Sequence, residues 1–399
     1  MRAQLGILIL ATSIVQLANG FFTTVLSLRL GLEAFDPALE GIVMSAYFIG
    51  FTIGSVTCGR LLRRIGHIRS YAAFGGIVIA ATAIMASVVE LSTWSIMRAA
   101  IGYGCAGLFV TTESWLHAKA PSATRGKVFA FYMVGTFLAL ALGQLLIGAL
   151  PVEGSLPFSI ILALFAVALI MVSTTYAEAP PIKGEGKLAY AELFRSAPLA
   201  ILGCFIAGMV SATFYAVFPA WMLVNQIPQT TISLFMLTAV LGGLAFQLPV
   251  GLLSDRLDRR MLLGILAAGV AASALLMIVM PRTYAAILPV AALLGGFMST
   301  LYPVCISNAM DNVSSERVVL VSSRMILIGG IGSACGPISA SWIMGRLDID
   351  GVLYFMAGAT SLLAAVALLR AFTHAEAIHE DRPFTVVAPQ SIQLAPDTP

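Results

Sequence analysis

Three ionisable side chains stand where charge is expensive. Arg98, Glu113 and Arg324 each fall inside a long apolar run of this 399-residue chain. A charge held among apolar residues marks a ligand site, an ion path or a tightly paired gate. The fork of a guanidinium suits carboxylate or phosphate, so Arg98 and Arg324 are candidates for holding an anionic group. Glu113 either carries a proton or braces a gate with a nearby arginine. It follows Arg98 by 15 residues, which at 3.6 residues per turn leaves the two about 60° apart round one helix. Uncharged polar residues accompany them. Gln16, Asn19 and Thr23 share a face at helical spacing, Tyr302 sits in another apolar run, and Tyr132 lies 192 residues before Arg324. Gln16, Asn19, Thr23, Arg98, Tyr132, Tyr302 and Arg324 are the expected substrate contacts.

The elements that must position them are membrane helices. The chain is 59% hydrophobic and 10% charged, with a mean hydropathy of +0.96, against about 25% charged residues in soluble domains. Apolar runs of about 20 residues, each long enough to cross roughly 30 Å of hydrocarbon as a helix, recur twelve times. They cover 5–28, 39–61, 71–89, 93–115, 126–149, 156–176, 199–224, 231–253, 261–280, 284–309, 318–344 and 352–372. Barrel strands would be half as long and would alternate apolar with polar. The first run is read as a span and not a signal peptide, because it is long and is interrupted by Gln16 and Asn19.

Orientation follows from the basic residues. With both termini in the cytoplasm, 17 of the 22 Lys and Arg lie on the cytoplasmic side, as the positive-inside rule requires. Residues 177–198 form a Pro-, Gly- and charge-bearing cytoplasmic linker between a six-helix unit over 1–176 and a second over 199–372. Residues 373–399 turn polar and Pro-rich and read as a disordered cytoplasmic tail. The five cysteines and four histidines are dispersed, without the spacing of a metal site. No metal, no cofactor and no enzyme activity are expected, and the net charge of +3 gives no reason to expect nucleic acid.

The halves repeat one another. Gly59 and Gly251, Gly104 and Gly296, and Arg125 and Arg317 are each 192 residues apart. Halves with the same membrane orientation joined by a central linker form a parallel-repeat transporter arrangement.

Here the whole chain resembles the major facilitator superfamily. The most specific element is the family's loop pattern G-x-L-x-D-R-x-G-R-R between helices two and three, repeated between eight and nine. The second copy is Gly251-Leu252-Leu253-Ser254-Asp255-Arg256-Leu257-Asp258-Arg259-Arg260. The first, Gly59-Arg60-Leu61-Leu62-Arg63-Arg64, has Arg63 in place of the acid. Arg98 and Gly102 match an R-x-x-x-G pattern, and Gly332-x-x-x-Gly336-Pro337 is similar to a Gly-Pro motif usually placed in helix five. Thr112-Glu113-Ser114-Trp115-Leu116 looks like a bacterial inner-membrane subgroup of the family.

The resemblance implies an all-α membrane protein of twelve transmembrane helices in two pseudo-symmetric six-helix bundles, moving a small solute by alternating access without ATP. Gly59, Arg63, Arg64, Gly251, Asp255, Arg256, Arg125 and Arg317 become conformational gating residues. Asp255 would oppose the positive N-terminus of helix five, near Arg125, while the basic loops serve equally as orientation signals. Two arginines against one acid favour an anionic or zwitterionic solute, with protons as a coupling partner. The expected partners are that solute, the bilayer and protons, with the protein a monomer in the bacterial inner membrane. A proton-coupled exporter of amphipathic compounds and a non-transporting receptor or assembly factor fit the same residues.

Overall fold

The computed structural model of the chain describes residues 2–33, 35, 37–121, 124–175, 197–281, 283–311 and 318–373. Among the described residues all regular structure is helical, with no strand. In the first half the helices are α1 (Arg2–Leu32), α2 (Pro37–Ile65), α3 (His67–Ser87), α4 (Leu91–Lys119), α5 (Arg125–Ala149) and α6 (Leu156–Ser173). In the second they are α7 (Pro198–Ala216), α8 (Phe218–Val224), α9 (Gln229–Ser254), α10 (Arg259–Val279), α11 (Tyr284–Met310), α12 (Val318–Arg346) and α13 (Gly351–Thr373). The expected linker and tail lie outside the described residues except at their edges.

Eleven of these helices are long and apolar enough to cross a membrane. The twelfth crossing is α4, whose 29 residues span about 43 Å at 1.5 Å per residue but include Arg98, Glu113 and a polar Thr111–Ser114 stretch. The seventh span, expected as one helix, is two. Proline at position 219 has no N–H to donate into the preceding turn, and the helix breaks at Val217 before restarting as α8. Glu90 stands at the N-cap of α4. The hydroxyls of Thr93 and Ser92 donate to its carboxylate at 2.6 and 2.7 Å, and these bonds hold its carboxyl below the usual range.

The packing repeats between the halves. In the first, α2 packs on α4, α4 on α3, α3 on α6, and α1 on α5 and α6. In the second, α9 packs on α11, α11 on α10, α10 on α13, and α7 on α12 and α13. The halves meet through α2 with α12 and α5 with α9, two pairs that the duplication exchanges. Glycines permit the tightest approaches. A Cβ at Gly50 would strike the Ala99 carbonyl, and one at Gly242, 192 positions on, the Ala292 carbonyl. The Gly332/Gly336 pair of α12 lies in the same way against the Phe205 and Met209 carbonyls of α7, which makes that motif a helix-packing seam.

Outward faces carry Leu10, Ile53, Ile96, Phe131, Leu248 and Val279, all exposed. Such a surface is stable against lipid and costly against water. The chain is a multi-pass membrane protein of two pseudo-symmetric six-helix bundles.

Candidate functional site

A single stripe from each of several helices faces the space between the halves. On α2 the stripe is Tyr47, Phe48, Phe51, Thr52 and Ser55; on α5 it is Met133, Thr136, Phe137 and Leu140; α1 adds Gln16. From the second half come Gly208, Ser211, Ala212 and Tyr215 of α7, Gln247 of α9, Met298, Ser299 and Tyr302 of α11, and Ile326, Gly329, Gly330 and Ser333 of α12. Together they enclose a cavity of about 160 Å³. The lining is aromatic, thioether, hydroxyl and amide, with no ionised side chain among these residues. Two amide oxygens, Gln16 Oε1 and Gln247 Oε1, are buried there without hydrogen-bond partners, one from each half.

One end of the interface between the halves is closed. Ala220 N donates to Ser27 Oγ at 3.1 Å, and Ile338 N to Ser45 Oγ at 3.2 Å. Ser233 Oγ donates to the Gln144 carbonyl at 2.6 Å. Gln229 Nε2 donates to the carbonyl of Leu150 at 2.7 Å and also contacts that of Ile147. All four lie toward the C-terminal end of α1 and α5 and the N-terminal end of α2 and α9. The lining extends the other way, to Ser55, Met133, Gln247 and Ile326.

Of the seven residues expected to touch solute, Gln16 and Tyr302 line this cavity. The others are placed elsewhere, for separate reasons. Asn19 is buried and accepts from Cys105 Sγ at 3.9 Å, and Thr23 donates back to the Asn19 carbonyl at 2.9 Å. Tyr132 points away from the cavity into its own half, where its hydroxyl donates to Glu113 Oε1 at 2.9 Å; both residues are buried. Arg324 is half-buried, and the cavity wall of α12 begins two residues later at Ile326.

Arg98 is fully buried behind the lining. Its guanidinium carbon lies 4.6 Å from the ring centroid of Tyr47 and 5.2 Å from that of Phe22. The helix contact that creates this stack is Gly102, one turn further along α4, where a Cβ would strike the Tyr47 carbonyl.

Those expected gating residues that the structure describes lie toward the other end, at the C-terminal ends of α2 and α9 and the start of α5. Arg63, Arg64, Asp255 and Arg256 are exposed, while Gly251 is buried. Gly59 approaches Arg63, whose Nη1 would lie 3.7 Å from a Cβ there. Arg317 and the side chain of Arg125 lie outside the described residues. Asp255 lies 3.8 Å from Arg259. Arg259, not expected as a site residue, is the centre of this corner. It is buried, pairs with Asp311, and donates to the Ser307 carbonyl at 2.9 Å, tying α9, α10 and α11 together.

Sequence reasoning also passed over the α2 stripe. The signal is present on α2, where Tyr47, Phe51 and Ser55 recur every four residues, and again on α5, where Met133, Thr136, Phe137 and Leu140 follow the i, i+3, i+4, i+7 pattern. A lipid-facing stripe has the same period, and nothing in the local sequence distinguishes the two.

The family model and the curated relatives agree on one family, and the solved structures share its fold. The model of the Major Facilitator Superfamily matches residues 8–227 and 200–393. Among curated proteins, the uncharacterized MFS-type transporter YcaD of Escherichia fergusonii is 27% identical over 363 residues, covering 90% of this chain and 94% of that protein. The YcaD of Escherichia coli K12 matches to the same extent. Among solved structures, the nucleoside transporter NupG superposes with a TM-score of 0.77 at 14% identity, covering 93% of this chain and all of that one. A bacterial homologue of the human lysosomal transporter Spinster, in an inward-facing and unoccupied conformation, gives 0.74 at 12% identity over 93% of this chain and 95% of that one.

Proposed function

The chain belongs to the Major Facilitator Superfamily and is a membrane transporter, not an enzyme, and from that premise we propose that it carries a small amphipathic solute by alternating access at the cavity between its halves. The observation that carries this reading is the position of that cavity. Both halves line it, four hydrogen bonds close one end of their interface, and its wall runs toward the other end. Rocking the halves about such a cavity would exchange which end is closed, the motion expected of parallel repeats.

The aromatic and thioether lining suits an apolar body, and the two unpartnered amide oxygens suit hydrogen-bond donors on the solute. The unpaired guanidinium behind Tyr47 favours an anionic or zwitterionic solute over a lipophilic cation. Under this proposal the closed end faces outside, with both termini in the cytoplasm and the bacterial inner membrane as location. Labelling checks that orientation. Thr124 and Ser155 are both exposed, so cysteines placed there in a Cys335→Ser background should differ in intact cells. Ser155→Cys should react with an impermeant maleimide and Thr124→Cys only with a permeant one; the reverse would invert the topology.

Proton coupling is assigned to Glu113, whose buried carboxylate receives the Tyr132 hydroxyl at 2.9 Å. Ionisable side chains inside membrane bundles mark proton relays. In proteoliposomes, an imposed pH gradient should accelerate solute flux at least ten-fold in the wild type and leave Glu113→Gln unaffected by the gradient. Equal acceleration in both would reduce Glu113 to a structural brace of the first half.

A further inference from the structure

We propose that Arg98 is a concealed subsite for an anionic group on the transported solute, and that the side chain of Tyr47 is the shutter which hides it from the cavity in this conformation. The inference rests on the transporter reading above and gives its solute a chemistry: a small amphipathic anion, with an apolar or aromatic body and a single carboxylate.

The first observation is an unmet cation. Nε, Nη1 and Nη2 of Arg98 are all buried and make no hydrogen bond, and no acid among the described residues pairs with it. A guanidinium presents five N–H donors in one plane. The rings of Phe22 and Tyr47 lie within cation–π distance of its guanidinium carbon, but neither ring offers an N or O acceptor to its N–H groups. Edge-on N–H pairs are the part of arginine that binds a carboxylate in bidentate fashion. The charge therefore sits beside two aromatic rings with its N–H donors unused.

The second observation is the wall. Tyr47 belongs at once to the cavity lining and to the Arg98 stack, so one aromatic ring stands between the solute space and the guanidinium. Gly102 locks the α2 backbone at Tyr47 against α4, so the backbone stays in place when the side chain turns. Moving that ring by a rotamer change would join the two spaces without moving a helix. Gln16, on the lining, and Asn19, one turn further along α1 and next to the Tyr47 hydroxyl, mark a polar path in the same direction. Beside the shutter lie Phe48 and Phe51, with ring centroids 5.2 and 6.0 Å from that of Tyr47, which suit an apolar body. A lipophilic cation would meet a buried positive charge directly behind one wall, and is disfavoured.

The experiment uses the purified full chain in lipid nanodiscs, with benzoate as the probe anion and benzamide as its neutral counterpart. Arginine accessibility is read by phenylglyoxal modification and peptide-resolved mass spectrometry. Arg98 should be protected in the wild type. It should react at least ten-fold faster in Tyr47→Ala, with Tyr47→Leu as a second variant should the first fail to fold. Benzoate should slow that reaction several-fold and benzamide should not. In the wild type, benzoate should raise the unfolding temperature more than benzamide does, and Arg98→Gln should abolish the difference.

The proposal is overturned if Arg98 stays unreactive once the ring is removed, or if the neutral and anionic probes protect it equally. The second outcome would make Arg98 a structural cation satisfied by water. None of these measurements requires turnover, so they stand apart from the proteoliposome result for the transporter reading itself.

Discussion

Replacing Arg259 with methionine should destabilise the protein by about 3–5 kcal/mol, the usual consequence of removing one member of a buried ion pair. The side chains of Arg259 and Asp311 are each 6% exposed, so water cannot replace the lost partner. The same substitution leaves the Ser307 carbonyl without its donor at the end of α11. Thermal unfolding of the purified variant measures the loss. A double variant, Arg259→Met with Asp311→Leu, should recover most of it, because an apolar pair of similar size often replaces a buried salt bridge at little net cost. If the single variant unfolds with the wild type, the corner joining α9, α10 and α11 is held by packing alone.

The second large effect is expected at Gly102. A valine there would drive its Cβ into the Tyr47 carbonyl, a backbone atom that cannot turn aside. Overpacking typically costs about 1–3 kcal/mol when side chains can yield, and more is expected where α2 and α4 meet backbone to backbone. Gly102→Val should therefore lose most of its monodisperse fraction on size-exclusion chromatography. A Cβ at Gly76 or Gly358 would meet nothing within 4 Å, and valine at either should leave the elution profile unchanged. A normal profile for Gly102→Val would mean that α2 and α4 can separate freely. In that case the stack of Arg98 on Tyr47 would not depend on their contact.

Much of the fold was legible because lipid imposes long-range order on composition. Apolar runs of fixed length, a basic bias on alternate loops and a 192-residue offset needed no contact information, and Gly50 with Gly242 extends that offset into the packing. The broken seventh span was legible only as Pro219, a residue that helices also tolerate near a first turn.

The site was harder to read. Arg98 and Glu113 stood out because charge is rare in the spans, but rarity does not reveal which way a side chain points. Arg98 faces α2 across a glycine contact, and Glu113 faces Tyr132 within its own half. Beyond Gln16 and Tyr302, the apolar part of the lining was missed for the opposite reason: Phe51, Phe137 and Met298 are the residue types that lipid-facing stripes also use. Arg259 was hidden among orientation charges, since burial separates it from Arg256 and Arg260 and sequence spacing does not.

The bonds that close one end of the interface share a property with a consequence of its own. Each of the four joins a serine hydroxyl or a glutamine amide on one half to a backbone N–H or carbonyl on the other. None of these groups ionises in the physiological range, and neutral contacts are not weakened by dissolved salt as exposed charge pairs are. Acidity and ionic strength in the surrounding medium therefore have no direct grip on this door. Because one member of every bond is main chain, drift in the facing side chains leaves the docking point intact, and the seal tolerates mutation on the side that supplies the backbone.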